Sequence, residues 1–105
     1  MYRKLKNMKK AVLETWTESE AGWGQNSDGC SIHCTKEDCK NYIETYWKSM
    51  PKSTPTIYER PDSNVREVMI SDKLFKRIEN SDNGIRLWQS EFNSLKESNE
   101  ILFKD

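Results

Sequence analysis

The 105-residue sequence is poor in aliphatic side chains and contains no long hydrophobic run. Leucine, isoleucine, valine and phenylalanine together occupy 19 positions, just under the level of about one fifth at which disorder becomes common. Four tryptophans and four tyrosines offset this shortage, because each aromatic side chain buries a large area. We therefore expect one small folded domain with a thin core. The lack of any run of about 18 apolar residues excludes a membrane-spanning helix.

Cysteine and histidine are also scarce, with three cysteines and one histidine. The odd number of cysteines argues against a disulfide framework. These four side chains fall within ten residues and include the donor types that bind zinc; they are Cys30, His33, Cys34 and Cys39. Neighbouring residues of a strand face opposite sides, so His33 and Cys34 would not reach one metal ion. We therefore expect free thiols, and no metal or cofactor.

The motifs of common enzyme classes are missing too: there is no Walker loop, GxGxxG, HExxH, GxSxG or deaminase motif. The formal net charge is zero, with 17 basic and 17 acidic residues. This neutrality conceals a basic start in residues 1–10 and an acidic stretch in 11–35. The basic start is followed by too short an apolar segment for a secretory signal. We predict a basic tail over 1–9 and a single domain over 10–105.

Local patterns predict the order β-β-α-β-α-β-α in a small two-layer α+β domain. The predicted strands are Lys10–Thr17, Cys30–Cys34, Val65–Ile70 and Ile85–Trp88. Two helices, capped by Thr35 and Ser71, should cover this sheet of about four strands, and Pro51 should end the first of them. A further helix at the C-terminus should be peripheral. Residues 18–29 and 51–64 are expected to be a loop and an irregular connector.

Four tryptophans must be placed in or around this fold. Trp16, Trp47 and Trp88 occupy core-facing positions of predicted elements, whereas Trp23 falls in the loop. The dipeptide Asp28-Gly29 predicts a turn in the same loop. The first hairpin should be antiparallel, and strands joined through helices should pair in a parallel or mixed manner.

The acidic, tryptophan-containing loop is the first candidate for a binding surface. Carboxylates beside aromatic rings suit a cationic or peptide partner, and tryptophan is enriched at interface hot spots. Together with one residue of the connector, the predicted partner-binding residues are Glu18, Glu20, Trp23 and Tyr58. The alternative is a structural loop in which Trp23 packs back onto the sheet.

Several motifs resemble a family of small accessory proteins of tailed phages and bacterial mobile elements. They are Trp16-Thr-Glu-Ser-Glu-x-Gly-Trp-Gly24, Asp28-Gly-x-Ser-Ile-His33, Tyr58-x-Arg-Pro61 and Asn83-Gly-Ile-Arg86. The resemblance spans residues 10–88. It implies an accessory protein in the cytoplasm of a bacterial host, and it brings no activity and no catalytic residue.

Three functions are consistent with these features. The leading hypothesis is a non-enzymatic binding module that modulates or inhibits a host or anti-phage defence protein. The alternative is a small-ligand or nucleotide-binding protein, including a weak hydrolase, that uses His33, Arg60 and Arg86. A weaker alternative is nucleic-acid binding through the basic tail, with an affinity that falls steeply with salt. Convergence of Trp23, His33, Tyr58 and Arg86 on one concave surface would favour a ligand site, and scatter would favour a protein interface.

Overall fold

A computed structural model shows a five-stranded sheet with helices packed against it. The structure describes residues 8–20, 22, 24–53 and 55–103. In this part of the chain the elements are β1 (Met8–Glu20), β2 (Gly24–His33), α1 (Lys36–Ser49), β3 (Ile57–Ser71), α2 (Asp72–Glu79), β4 (Ile85–Leu87), α3 (Gln89–Glu97) and β5 (Ile101–Phe103). The strand order is β4-β2-β1-β3-β5, and the pairings are antiparallel. The predicted α+β class is confirmed, whereas the expectation of parallel or mixed pairing is wrong.

The strand order explains why helical connections did not produce parallel pairs. Helix α1 connects β2 to β3, but these strands lie on the two sides of β1 and are not hydrogen-bonded to each other. Both pair antiparallel with β1, so they run in the same direction with β1 between them. Helix α2 likewise connects β3 to β4, which lies at the opposite edge of the described sheet from β5. Each helical crossover therefore joins strands that are not neighbours.

The predicted helix boundaries at the caps are confirmed. Thr35 precedes α1, and its hydroxyl accepts a hydrogen bond from the backbone N–H of Asp38 at 3.0 Å. Ser71 precedes α2, and its hydroxyl accepts one from the backbone N–H of Leu74 at 3.1 Å. Helix α1 ends two residues before Pro51, because proline disfavours helical geometry in the residue that precedes it.

The main core lies between one face of the sheet and the helices α2 and α3. Alternate strand residues point into this core, and they include Leu13, Cys30, Ile32, Val68, Ile70 and Ile101. The helices contribute Leu74, Ile78 and Phe92. Since successive side chains of a strand face opposite sides, the residues between the core positions of β1 and β2 face α1 instead.

Of the three tryptophans predicted in the core, the structure buries Trp16 and exposes the other two. The Trp16 ring is 1% exposed and packs edge-on against Tyr46 of α1, with ring centroids 5.0 Å apart. Trp47 is 42% exposed, because it follows Tyr46 and so lies about 100° further around the helix. Trp88 is 53% exposed, since β4 ends one residue before it at the edge of the sheet. The core predictions for Trp47 and Trp88 are therefore wrong.

Several regions predicted as irregular or helical form strands in the structure. Strands β1 and β2 continue through much of the predicted loop 18–29, and β3 occupies the second half of the connector 51–64. Leu102, expected in the C-terminal helix, lies in β5. Strand β1 begins at Met8, so the last two residues of the predicted tail 1–9 belong to the sheet. Pairing with a neighbouring strand satisfies the backbone here, although the local sequence is polar.

Two irregularities in strand pairing divide the sheet into a covered part and an exposed extension. Opposite β1, strand β2 contains extra residues between Ser27 and Cys30, and β3 contains extra residues between Pro61 and Val65. We call the paired segments beyond these irregularities the arm. The arm consists of residues 17–20, 24–27 and 57–60. None of these residues is buried, so both faces of the arm are accessible.

Side chains of β1 hold the inserted residues of β3 in place. The hydroxyls of Thr15 and Thr17 donate hydrogen bonds to the two carboxylate oxygens of Asp62, at 2.7 and 2.6 Å. The buried carboxylate of Glu14 accepts a hydrogen bond from the backbone N–H of Asn64 at 2.8 Å, and burial raises its pKa. These contacts fix the point at which β3 enters the arm.

Gly29 is the residue that allows the irregularity in β2. Its φ is +87°, and a Cβ atom at this position would lie 2.0 Å from the carbonyl oxygen of Leu87. Its N–H donates a hydrogen bond to Oε1 of Gln89 at 2.7 Å. The predicted turn dipeptide Asp28-Gly29 thus forms a bulge within β2 and not the hairpin turn, because only glycine tolerates both the dihedral angle and the close approach.

The substitution Gly29→Ala should destabilise the protein more than Gly24→Ala. Both glycines have positive φ, but a Cβ at Gly24 would meet nothing within 4 Å. The positive φ alone should cost about 1–2 kcal/mol at each site, and the clash with Leu87 should add about 1–3 kcal/mol at Gly29. Urea-induced unfolding measures both losses. Equal losses in the two variants would contradict the close packing of β2 against the end of β4.

Candidate functional site

Three carboxylates from three adjacent strands meet at the base of the arm. Glu18 of β1 lies directly opposite Glu59 of β3, and Asp28 comes from the bulge of β2. One carboxylate oxygen from each lies within 4.8 Å of the others, and each residue is half-buried. Among the described residues, no other group of three or more Asp, Glu, His or Cys side chains brings its donor atoms so close. We call Glu18, Asp28 and Glu59 the acidic cluster.

Burial and the neighbouring carboxylate of Asp28 raise the proton affinity of Glu59. The pKa of Glu59 is raised from 4.5 to about 7, first by burial and then by the hydrogen bond and the negative charge of Asp28. Arg86 opposes this rise. Two carboxyl groups this close favour a state in which they share a proton. Glu59 therefore takes up or releases a proton near neutral pH, and the carboxylate oxygens of the cluster can pair with a basic side chain or ligate a hard cation.

Arg86 of β4 supplies the cation that faces the acidic cluster. Its guanidinium forms an ion pair with Glu59 and donates hydrogen bonds to the carbonyl oxygens of Cys30 and Leu87, at 3.2 and 2.9 Å. The same group lies over the rings of Trp16 and Trp88, at 5.1 and 4.3 Å from their centroids. An ion pair, hydrogen bonds and contacts with two aromatic rings thus hold Arg86 in place. Among the described residues, the cluster has three carboxylates and one ion pair, that of Arg86 with Glu59.

Aromatic side chains of α1, β3 and the end of β4 lie around the base of the arm. The hydroxyl of Tyr46 donates a hydrogen bond to the backbone carbonyl of Glu59, which ties α1 to the arm. Trp47 contacts Tyr58, with ring centroids 6.5 Å apart. Trp88 covers Arg86 and is 53% exposed. The shared contact with Arg86 therefore places the exposed Trp88 ring next to the acidic cluster.

The structure brings some of the predicted partner-binding residues into the arm. Glu18 and Glu20 are half-exposed and, two residues apart on β1, share one face. Tyr58 lies opposite Ser19 and therefore faces the other side of the arm. Trp23, predicted as the central contact, lies outside the described residues.

His33, the candidate ligand contact, is buried in a hydrogen-bond network. It is 0% exposed; its Nδ1 lies 2.6 Å from the carbonyl oxygen of Asn83, and its Nε2 lies 2.7 Å from Oγ of Ser31. The carbonyl can only accept, so Nδ1 carries the proton and Nε2 accepts from Ser31. Ser31 in turn accepts a hydrogen bond from Nε1 of Trp16 at 2.8 Å. Burial lowers the pKa of His33, so the ring is neutral at pH 7.

The three residues of the ligand-binding hypothesis do not form one site. His33 lies opposite Val12 and Arg60 lies opposite Thr17. These positions are five residues apart on β1, which is about 17 Å along an antiparallel strand. Arg86 is engaged with Glu59 and two carbonyl oxygens.

The candidate zinc donors are distributed over both faces of the sheet. Cys30 belongs to the main core, whereas His33 faces α1. Cys39 is buried on α1, and Cys34 is partly buried beyond the end of β2. Burial raises the pKa of the Cys30 thiol to about 12 and that of the Cys39 thiol to about 11. The four donors therefore do not surround a common point, and the two buried thiols are protonated and unreactive at neutral pH.

Sequence reasoning missed the roles of Asp28 and Glu59 in the site. Asp28 was assigned to a turn, and Glu59 to an irregular connector without a partner. The two are 31 positions apart in the chain, and they meet only because β1 lies between β2 and β3. Their local patterns carry no signal of this contact. The sequence shows that Glu18 and Glu20 alternate along one strand and so share a face. It does not show the register that places Glu59 beside Glu18.

The substitution His33→Gln should remove an acid-sensitive component of stability. A histidine with a lowered pKa in the folded state binds fewer protons when folded than when unfolded. Stability is therefore lost as the pH falls through 6.5, the ordinary histidine value, with a slope of at most about 1.4 kcal/mol per pH unit. His33 is the single histidine, so the difference between wild type and variant isolates it from the carboxylates.

Urea unfolding at pH 7.5, 6.5 and 5.5 provides this measurement. The stability advantage of the wild type over His33→Gln should shrink as the pH falls. An advantage that is constant or that grows towards pH 5.5 would contradict the assignment of His33 as a buried, neutral imidazole.

Comparison of the chain with protein-family models, with curated proteins and with solved structures found no match. Among the described residues, no helix is long and apolar enough to cross a membrane. The features that bear on function are therefore the arm, the acidic cluster and the aromatic side chains near them.

Proposed function

We propose that the protein is a non-enzymatic binding module whose acidic cluster receives a basic segment of a protein partner. The observation that carries this proposal is the convergence of Glu18, Asp28 and Glu59 within 4.8 Å of one another on the accessible arm. The ion pair described for this cluster is the one between Arg86 and Glu59. A lysine or arginine from a partner would compensate the remaining negative charge and replace the shared proton.

The surroundings of the acidic cluster support a protein partner. Trp47, Ile57 and Trp88 are each more than 40% exposed, and large exposed apolar side chains beside a charged group are typical of interface anchors. Strand β2 is paired with β4 only at residues 30–32, so the outer edge of its arm segment, 24–27, has no partner strand among the described residues. An extended peptide could add to this edge with its basic side chains next to Asp28.

The distribution of candidate residues also favours an interface over a small ligand pocket. Tyr58 lies opposite Ser19, and His33 lies opposite Val12. These positions are about 24 Å apart along β1. Tyr58 and the buried His33 therefore do not line one small pocket, and the exposed side chains of the arm are left as the candidate contact surface.

The identity of the partner is proposed from the sequence resemblance alone. Similarity to accessory proteins of phages and mobile elements supports a host or anti-phage defence protein as the partner, with binding in the host cytoplasm. The acidic cluster adds a chemical requirement, because such a partner must present lysine or arginine side chains on an accessible segment.

The double variant Glu18→Gln/Asp28→Asn should lose binding of basic peptides. The probes are 12-residue peptides rich in arginine and lysine, and the same peptides with glutamine at the basic positions. Binding of the basic peptides should weaken by at least tenfold, since charged hydrogen bonds contribute about 1.5–3 kcal/mol each. Binding of the basic peptides to the wild-type protein should strengthen as the pH rises from 6 to 8. The bound peptide displaces a proton from Glu59, and less of that proton remains to be displaced at higher pH.

The matched control is Glu44→Gln/Glu97→Gln, which removes two exposed carboxylates from α1 and α3. Fluorescence anisotropy with labelled peptides measures affinity in each variant. Equal weakening in the control would show that binding depends on overall charge alone. Absence of binding by every basic peptide, or affinity that is unchanged in the cluster variant, would contradict the proposal.

A further inference from the structure

A small cavity lies away from the acidic cluster, between α1 and the turn that precedes β4. Its volume is about 200 Å³, and its lining residues are Tyr42, Thr45, Tyr46, Ser49, Asp82 and Asn83. The four residues of α1 are spaced at i, i+3, i+4 and i+7, so they form one continuous stripe on the helix. The stripe faces the carboxylate and the amide of the turn.

The lining of this cavity combines aromatic rings with neutral hydroxyl groups. Tyr42 and Tyr46 supply rings, and Thr45 and Ser49 supply aliphatic hydroxyls. Asp82 adds a carboxylate that can accept hydrogen bonds from two neighbouring hydroxyls of a ligand. In the part of the chain that the structure describes, no lysine or arginine lines the cavity, so this lining does not favour a phosphate or another anion.

Several polar groups of the lining keep hydrogen-bonding capacity for a ligand. The hydroxyl of Ser49 donates to the carbonyl oxygen of Tyr46 at 2.7 Å, so its oxygen can still accept. The amide of Asn83 makes a long contact of 3.4 Å with Oδ1 of Asp82, which leaves both groups available. Within the described part of the chain, the Tyr42 hydroxyl has no hydrogen-bond partner, and its ring packs against Trp16 and His33.

Contacts with buried residues hold the turn at Asn83 and Gly84 in place. Asn83 has a φ of +70°, which is uncommon for a residue with a side chain. Its carbonyl oxygen accepts the Nδ1–H of buried His33, and the next N–H, of Gly84, donates to Oγ of Ser81 at 3.0 Å. A Cβ at Gly84 would lie 2.2 Å from Nδ1 of His33. These contacts fix the backbone of the turn that carries Asn83 before any ligand arrives, which reduces the entropy cost of binding.

From this arrangement we propose that the cavity binds a neutral, hydroxyl-rich ring of the size of a monosaccharide. The tyrosine rings would pack against the C–H face of the sugar. Asp82 would accept hydrogen bonds from vicinal hydroxyls, and Asn83, Thr45 and Ser49 would bond to the ring substituents. The cavity shares Tyr46 with the contacts at the base of the arm, but the ligand proposed for it is a second one, beyond the proposed protein partner.

The test uses the full chain labelled with ¹⁵N and titrated with glucose, galactose, mannose, N-acetylglucosamine and ribose. Glycerol serves as the control for non-specific polyol effects. At least one sugar should produce saturable shifts in the amide signals of Thr45, Ser49 and Asn83, and glycerol should not. Absence of saturable shifts at these residues with all five sugars overturns the proposal.

Two variants separate a specific site from surface contact. Asn83→Gly keeps the backbone able to adopt positive φ and removes the whole side chain with its amide, and Asp82→Asn keeps the shape of the side chain and removes the charge. Each variant should bind the sugar with an affinity about fivefold lower, as expected for the loss of one hydrogen bond. Ser94→Ala on α3 is the matched control and should have no effect. Unchanged affinity in both variants, with folding confirmed by urea unfolding, also overturns the proposal.

Discussion

The contacts of Arg86 connect the edge of the sheet to its centre and to the arm. Its guanidinium is paired with Glu59 of β3, stacked between Trp16 of β1 and Trp88, and hydrogen-bonded to the carbonyl of Cys30 in β2. Arg86 itself belongs to β4, a strand of three residues that could not hold its position by backbone pairing alone. One side chain thus contacts four strands or their ends, and the acidic cluster depends on it for charge compensation.

The shape of the sheet explains why the carboxylates of the acidic cluster are accessible. Gly29 and the inserted residues near Asp62 bend β2 and β3 where they leave the covered part of the sheet. Before this point, side chains pack against helices; beyond it, the arm has no buried residue. Asp28 lies at the boundary, so the acidic cluster is half-buried. Burial raises the pKa of Glu59, and the carboxylates of the cluster still reach the surface.

Local signals in the sequence predict local structure such as helix caps, but they do not predict which strands lie side by side. Thr35 and Ser71 cap helices because the capping hydrogen bond is made within three residues. The exposure of Trp47 and Trp88 depends on helix rotation and on the end of a three-residue strand, and neither is encoded in hydrophobicity. The meeting of Asp28 with Glu59 depends on β1 lying between β2 and β3, so it could not be predicted without the strand order.

The most direct test of this account is the titration of Glu59 by carboxyl ¹³C NMR. The account predicts a midpoint near pH 7, which falls in Asp28→Asn, because the charge of the neighbouring carboxylate is removed. In Arg86→Met the midpoint should rise, because the compensating cation is lost. A midpoint near 4.5 in the wild type, unaffected by Asp28→Asn, would show that the three carboxylates do not form a coupled cluster and would contradict the central claim.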